Sequence, residues 1–192
     1  NDDIDSVLSN RTGVSLKVCS ALKLLESVPD RSIDLVITDP PHGDRIPYLE
    51  LSEIWNAVLN KEPIFEDEIV ISNAHGRDKC NTEYKKSLEQ VFLVLEKKLT
   101  SSGIVAVMFN SRSKDEWHSL QDACQMSKLV YFGKFPMKYS AGSVVQDNRA
   151  GGLSYDNILL FGSSNRQSQN GEMVNRFGGI PGWSNGLPVE NL

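Results

Sequence analysis

The chain has 192 residues, enough for one domain with a real core and too few for two full-sized ones. Hydrophobic residues at 40% and charged residues at 23% are the composition of a folded globular protein, and no apolar run approaches the roughly 18 to 20 residues that span a bilayer. Twenty Lys and Arg against 25 Asp and Glu leave a net charge of -5, so any basic surface for nucleic acid has to be local.

The start, Asn1-Asp2-Asp3-Ile4-Asp5, has neither the basic nor the apolar region of a secretory signal, and no Met opens it, which suggests a piece of a longer chain. Three cysteines, Cys19, Cys80 and Cys124, are odd in number and far apart, which fits a reducing cytoplasm and no disulfide framework. Together with His75 they show no metal-ligand spacing, and no metal is expected.

Residues 1–13 are polar and acidic and read as a lead-in. Val14-Ser15-Leu16-Lys17-Val18 alternates apolar and polar, the period of a half-buried strand. Ala21, Leu24, Leu25 and Val28 then fall at helical spacing, closed by Pro29. Ile33-Asp34-Leu35-Val36-Ile37-Thr38 is β-branched and nearly continuous in its apolar character, which predicts a central parallel strand covered on both faces.

A helix is expected over residues 48–59, followed by an irregular, charged stretch over residues 61–79. Tyr84, Leu88, Val91, Phe92, Leu95 and Leu99 place one apolar face on the clearest helix of the chain. Ser102-Gly103 punctuates, and residues 104–109 predict a second buried strand. Ser113-Lys114-Asp115-Glu116 has capping-box spacing and opens a helix carrying Trp117, Leu120 and Cys124. Strands are expected over residues 129–135 and 157–161, and the Gly-, Ser- and Asn-rich remainder reads as a tail or linker. Alternating strands and helices of this size indicate an α/β domain on a mostly parallel sheet with helices on both faces.

The chemistry concentrates in Thr38-Asp39-Pro40-Pro41-His42-Gly43-Asp44, where the predicted central strand runs out. Ligands of open α/β sheets bind outside the carboxyl ends of the strands. Two prolines remove backbone donors and leave carbonyl acceptors; Asp39 adds a carboxylate and His42 a flat ring. Such a loop can accept both hydrogens of an amine and stack on the attached heterocycle.

Asp39-Pro40-Pro41-His42 resembles the Asp-Pro-Pro-Tyr motif of amino-methyltransferases. With its strand and the following Ile46-Pro47-Tyr48-Leu49-Glu50-Leu51-Ser52-Glu53-Ile54-Trp55, it is similar to adenine-specific DNA methylases of the zinc-ribbon-associated type. The resemblance covers residues 14–162 and implies a Rossmann-like methyltransferase fold, S-adenosylmethionine as cofactor and DNA as partner in the cytoplasm, in a restriction-modification setting. It implies that Asp39 and the carbonyl of Pro40, with Pro41 shaping the turn, hold an exocyclic amine, adenine N6 in that family, while His42 stacks on a flipped base. Ser20 and Ala21, with Asp39, are the expected cofactor contacts, Ser20 standing where the family has Asp. Asp44, Tyr48 and Asn110 are expected to line the substrate site. Lys138 and Arg149, beside Phe135 and Tyr139, form the best basic and aromatic patch for DNA.

Two departures stand out: the family's Tyr is His42, and no glycine-rich strand-turn-helix of the cofactor-binding kind is found. The catalytic domain, residues 14–162, is therefore expected to be incomplete, with residues 163–192 as tail and the remainder of a longer or split methylase as a partner. An RNA or protein-amine methyltransferase is the alternative enzyme, and a non-catalytic nucleic-acid-binding subunit the alternative from another class.

Overall fold

A computed structural model describes residues 13–43, 46–77, 79–111, 113–138 and 155–163, with backbone alone for Pro136, Lys138, Tyr155 and Asp156. The elements run α1 (Ala21–Glu26), β1 (Ile33–Thr38), α2 (Tyr48–Leu51), α3 (Glu53–Val58), a 3-10 turn (Phe65–Asp67), α4 (Asn81–Lys98), β2 (Leu99–Phe109), α5 (Lys114–Met126), β3 (Leu129–Lys138) and β4 (Tyr155–Ser163). One four-stranded sheet has the order β1-β2-β4-β3. β1 and β2 are parallel, and β4 runs antiparallel to both of its neighbours. Three strands therefore share a direction, and the reversed β4 lies between two of them.

The helices explain one face of that sheet. Tyr84, Leu88, Phe92 and Leu95 recur at helical spacing on α4 and meet Trp117, Leu120, Ala123 and Cys124 of α5. Both sets pack on Val105, Val107 and Phe109 of β2 and on Leu159 and Phe161 of β4, which alternate inward along their strands. Leu25 of α1 joins the edge of this cluster. At Gly162 an added Cβ would sit 2.4 Å from the Phe132 ring, so only glycine lets β3 and β4 approach there.

Four expectations change. Val14-Ser15-Leu16-Lys17-Val18 is not a strand: its backbone joins no ladder and its three apolar side chains are exposed. Period-2 alternation makes a strand only where a neighbour accepts its backbone bonds, and none stands beside it among the described residues. β1 is correspondingly an edge strand here, not a central one covered on both faces. Val36 turns towards the core, while Leu35 and Ile37 face the other way and are 57% and 67% exposed.

The helix expected over residues 48–59 breaks at Ser52 into two short pieces. β2 begins at Leu99 and runs through Ser102 and Gly103 without interruption, with Ile33 facing Leu99 across the ladder. Leu99 is buried as expected, but as the first residue of a strand.

Between α3 and α4 the irregular stretch is organised by Arg77. Its guanidinium pairs with Glu68 and lies 3.5 Å from Glu50, and it stacks 3.7 Å above the Phe65 ring. Glu68 also accepts from the Leu49 amide at 3.1 Å, tying α2 to this segment. Arg77 thus ties this segment together through both carboxylates and the ring.

The cysteines give a check on this packing. Amides of Glu83 and Thr82 at the head of α4 hold the exposed Cys80 thiol below its ordinary range, whereas burial pushes Cys124 up. At about neutral pH, Cys80 is expected to alkylate faster than an unperturbed free thiol, because its thiolate fraction is higher. Cys124 is expected to react only on unfolding. Mass-spectrometric iodoacetamide time courses with and without denaturant test both.

Candidate active site

β1 and β2 are parallel neighbours, with Thr38 opposite Val107, so their carboxyl ends lie level. The loop after β1, residues 39–43, therefore stands beside the turn after β2, where Asn110 and Ser111 lead into α5. That adjacency builds the site.

Tyr84, on the inward face of α4, donates from its hydroxyl to the Pro41 carbonyl at 2.7 Å. Burial and the nearby Glu116 carboxylate push the Tyr84 phenol up, and the Gly43 amide at the same oxygen opposes them. Both upward effects favour the protonated phenol that donates to Pro41. The Gly43 carbonyl accepts from the Ile71 amide at 3.1 Å. Gly43 has φ +63, and a Cβ there would sit 1.8 Å from Glu116 Oε1. Any side chain there is strained by the left-handed backbone and displaces the Glu116 carboxylate.

Glu116 is 4% exposed and accepts a hydrogen bond from the Ser111 hydroxyl. Ser111 Oγ in turn accepts from the Ser113 amide at 2.9 Å, and the Ser111 carbonyl accepts from Trp117 Nε1 at 2.9 Å. The expected capping box does not form. Ser113 is the N-cap of α5 but makes no side-chain cap, because Glu116 is drawn inward to Ser111 and Gly43.

The four loop residues have different environments. The Asp39 side chain is 61% exposed at the mouth of the site. His42 Nε2 lies 3.2 Å from Asp39 Oδ1, and its ring meets Phe109 edge-on at 4.9 Å and 66°. Phe109 meets Trp117 at 5.0 Å and 84°, so the aromatic contact continues into the core. Tyr84 takes the Pro41 carbonyl from the inner side of the loop. His42 is seated against the protein on one side and is not a freely presented ring.

Other expected site residues scatter. Asn110 follows β2 beside the loop and is buried, at 5% exposure. Tyr48 opens α2 and is exposed. The Ser20 hydroxyl caps α1 by accepting from the Lys23 amide at 3.3 Å, and Ala21 is exposed. Asp44 and Arg149 lie outside the described residues, as does the Lys138 side chain. Tyr84, Ser111 and Glu116 were missed as site residues. Tyr84 reads as one more apolar position of α4 and Glu116 as a cap, and nothing local signals that both converge on Gly43. Among the described residues no three His, Cys, Asp or Glu side chains are grouped to hold a metal ion, and no described helix is long and apolar enough to cross a membrane.

With this geometry in hand, the fold can be compared with solved structures. The chain superposes on the PvuII DNA methyltransferase, which is cytosine-N4-specific, with a TM-score of 0.52 and 17% identity, covering 79% of this chain and 49% of that one. A protein assigned as a DNA modification methylase from Thermus thermophilus, in complex with S-adenosyl-L-methionine, gives 0.43 and 15% over 76% of this chain and 54% of its own. The chain thus spans about half the length of these structures. No family model matches the sequence, and neither does any curated protein. The fold is the Rossmann-like α/β fold of methyltransferases.

Gly43→Ala tests the loop's packing directly. Left-handed backbone and the contact with Glu116 together are expected to destabilise the protein by about 1–3 kcal/mol, read as a lower urea midpoint.

Proposed function

We propose that this chain is the target-holding part of a DNA methyltransferase that uses S-adenosylmethionine to methylate an exocyclic base amine. One observation carries the reading: an exposed Asp39 and the Pro40 carbonyl stand together at the carboxyl end of β1, on a turn pinned from behind, in a fold shared with a cytosine-N4 enzyme. Both groups are acceptors only. An amine bound there gives up both hydrogens to them, and its nitrogen lone pair points away. These acceptors bond more strongly as the nitrogen becomes cationic, which favours the transition state over bound substrate. No strong base is needed, because the proton can leave after transfer.

Adenine N6 is the amine that the zinc-ribbon-type resemblance implies, and cytosine N4 is the alternative suggested by the PvuII likeness. His42 reaches the base by its outward edge, while Lys138 and Arg149 would contact DNA phosphate. Tyr48 and Asp44 would take part in holding the substrate.

We infer that the described residues supply only part of a cofactor pocket. Ser20's hydroxyl is engaged by its own helix, Ala21 is exposed, and Val18 stands free of the sheet. In this reading the missing wall comes from the remainder of a longer or split methylase, added along the outer edge of β1. That edge has no strand partner among the described residues, and Leu35 and Ile37 beside it are open apolar surface. Such an edge is a template for a further strand.

Two measurements test this. Calorimetry of the 192-residue chain with S-adenosylmethionine is expected to give a dissociation constant weaker than about 1 μM, since the lost wall forfeits hydrogen bonds of about 0.5–1.5 kcal/mol each. Tighter binding would show a complete pocket here. In the assembled methylase, Asp39→Ala should slow single-turnover methyl transfer on the order of 100- to 1000-fold with cofactor affinity nearly unchanged. His42→Tyr should be tolerated. A threefold effect or less for Asp39→Ala means that the amine is held elsewhere.

A further inference from the structure

We propose that Glu116 and Tyr84 are positioning residues that together set the conformation of the Pro41–His42–Gly43 turn and thereby the aim of Asp39 and the Pro40 carbonyl. The proposal rests on the amine-holding reading above for its consequence in catalysis, and on geometry alone for the positioning itself. The two residues come from different helices, α4 and α5, and reach the same three loop residues from behind. Tyr84 fixes the Pro41 carbonyl inward at 2.7 Å. Glu116 fills the space that any Cβ at Gly43 would need, 1.8 Å from its Oε1.

Both contacts are buried polar ones that join a helix to the loop, and apolar packing of the helices does not by itself call for them. A phenylalanine would fill the core at Tyr84 equally well, yet the hydroxyl is there and its hydrogen goes to the loop. A buried carboxylate is costly unless bonded, and a helix start offers Glu116 a cheaper place at the Ser113 amide. It is instead held by the Ser111 hydroxyl, whose own position is fixed by the Ser113 amide, while the neighbouring indole fixes the Ser111 carbonyl. Trp117 also supports Phe109, on which the His42 ring rests, so one helical turn of α5 backs both His42 and Gly43. With the Pro41 carbonyl turned inward, the two prolines leave little torsional freedom between that anchor and Asp39. Releasing the anchor would let the Pro40 carbonyl and Asp39 swing together.

The test compares Tyr84→Phe, Glu116→Gln and Glu116→Ala with wild type by thermal melting and by the NMR signals of the Gly43 amide and His42 ring. It adds methyl transfer to DNA by the assembled methylase. Expected are shifted Gly43 and His42 signals in Tyr84→Phe and Glu116→Ala, with kcat reduced tenfold or more and KM for DNA within twofold. Glu116→Gln, which can still accept from Ser111, should restore both readouts. If Glu116→Ala does not fold, Tyr84→Phe carries the test. Loop signals that stay in place in the folded variants overturn the proposal, as does a loss confined to KM or a Gln variant as impaired as Ala. A wild-type methylase that transfers nothing to DNA, with the loop signals moving as expected, counts against the reaction and leaves the positioning assignment standing.

Discussion

The parallel ladder between β1 and β2 is the constraint from which the site follows. Parallel neighbours end on the same side of a sheet, and their connection has to cross over the face, which here is the work of α4. The crossover brings Tyr84 beneath the β1 loop, and the next crossover, α5, brings Glu116 and Trp117 beneath it from the other side. With Thr38 opposite Val107, a shift of one residue in this ladder would turn the alternating side chains of β1 to the wrong face and carry the loop away from Ser111. The core residues Val105, Val107 and Phe109 hold that register through their burial.

Behind the loop the protein is unusually polar for its depth. Tyr84, Ser111 and Glu116 are all buried, and they bond to one another's neighbourhood and not to solvent. In front of it, Asp39 is open. The loop is thus held firmly on its inner side while the Asp39 carboxylate faces outward beside His42.

Much of the fold was readable from periodicity. β1 was placed by its β-branched run, α4 by Tyr84, Leu88, Phe92 and Leu95, and the last strand by Asn157 to Phe161. These patterns report which side of an element meets the core, and that is a local property. What failed was whatever depends on a neighbour. Val14 to Val18 alternates like a strand but finds no partner, and Leu99 looks like the end of a helix although it begins a strand beside Ile33. Ser113 and Glu116 have the spacing of a cap, yet a stronger tertiary demand from Gly43 and Ser111 takes the carboxylate. The Asp-Pro-Pro-His loop reads as a candidate site from its composition, but nothing in the sequence tells that Pro41 turns its carbonyl to Tyr84 or that His42 rests on Phe109. Arg77 similarly reads as a loop cation and proves to be the centre of a buried ion-pair cluster.

The position of β4 has a consequence for how the molecule can assemble. It is the last of the described strands, yet it lies between β2 and β3 and, among the described residues, is the strand that joins β3 to the sheet. As the polypeptide leaves the ribosome, β1, α4 and β2 can associate early, but β3 emerges with no neighbour and must wait for residues 155–163. Closure of the sheet is thus an insertion and not an extension, and its contacts span long sequence separations, the kind that slow folding. A nascent chain halted short of Ser163 would expose two unpaired edges at once, one on β2 and one on β3.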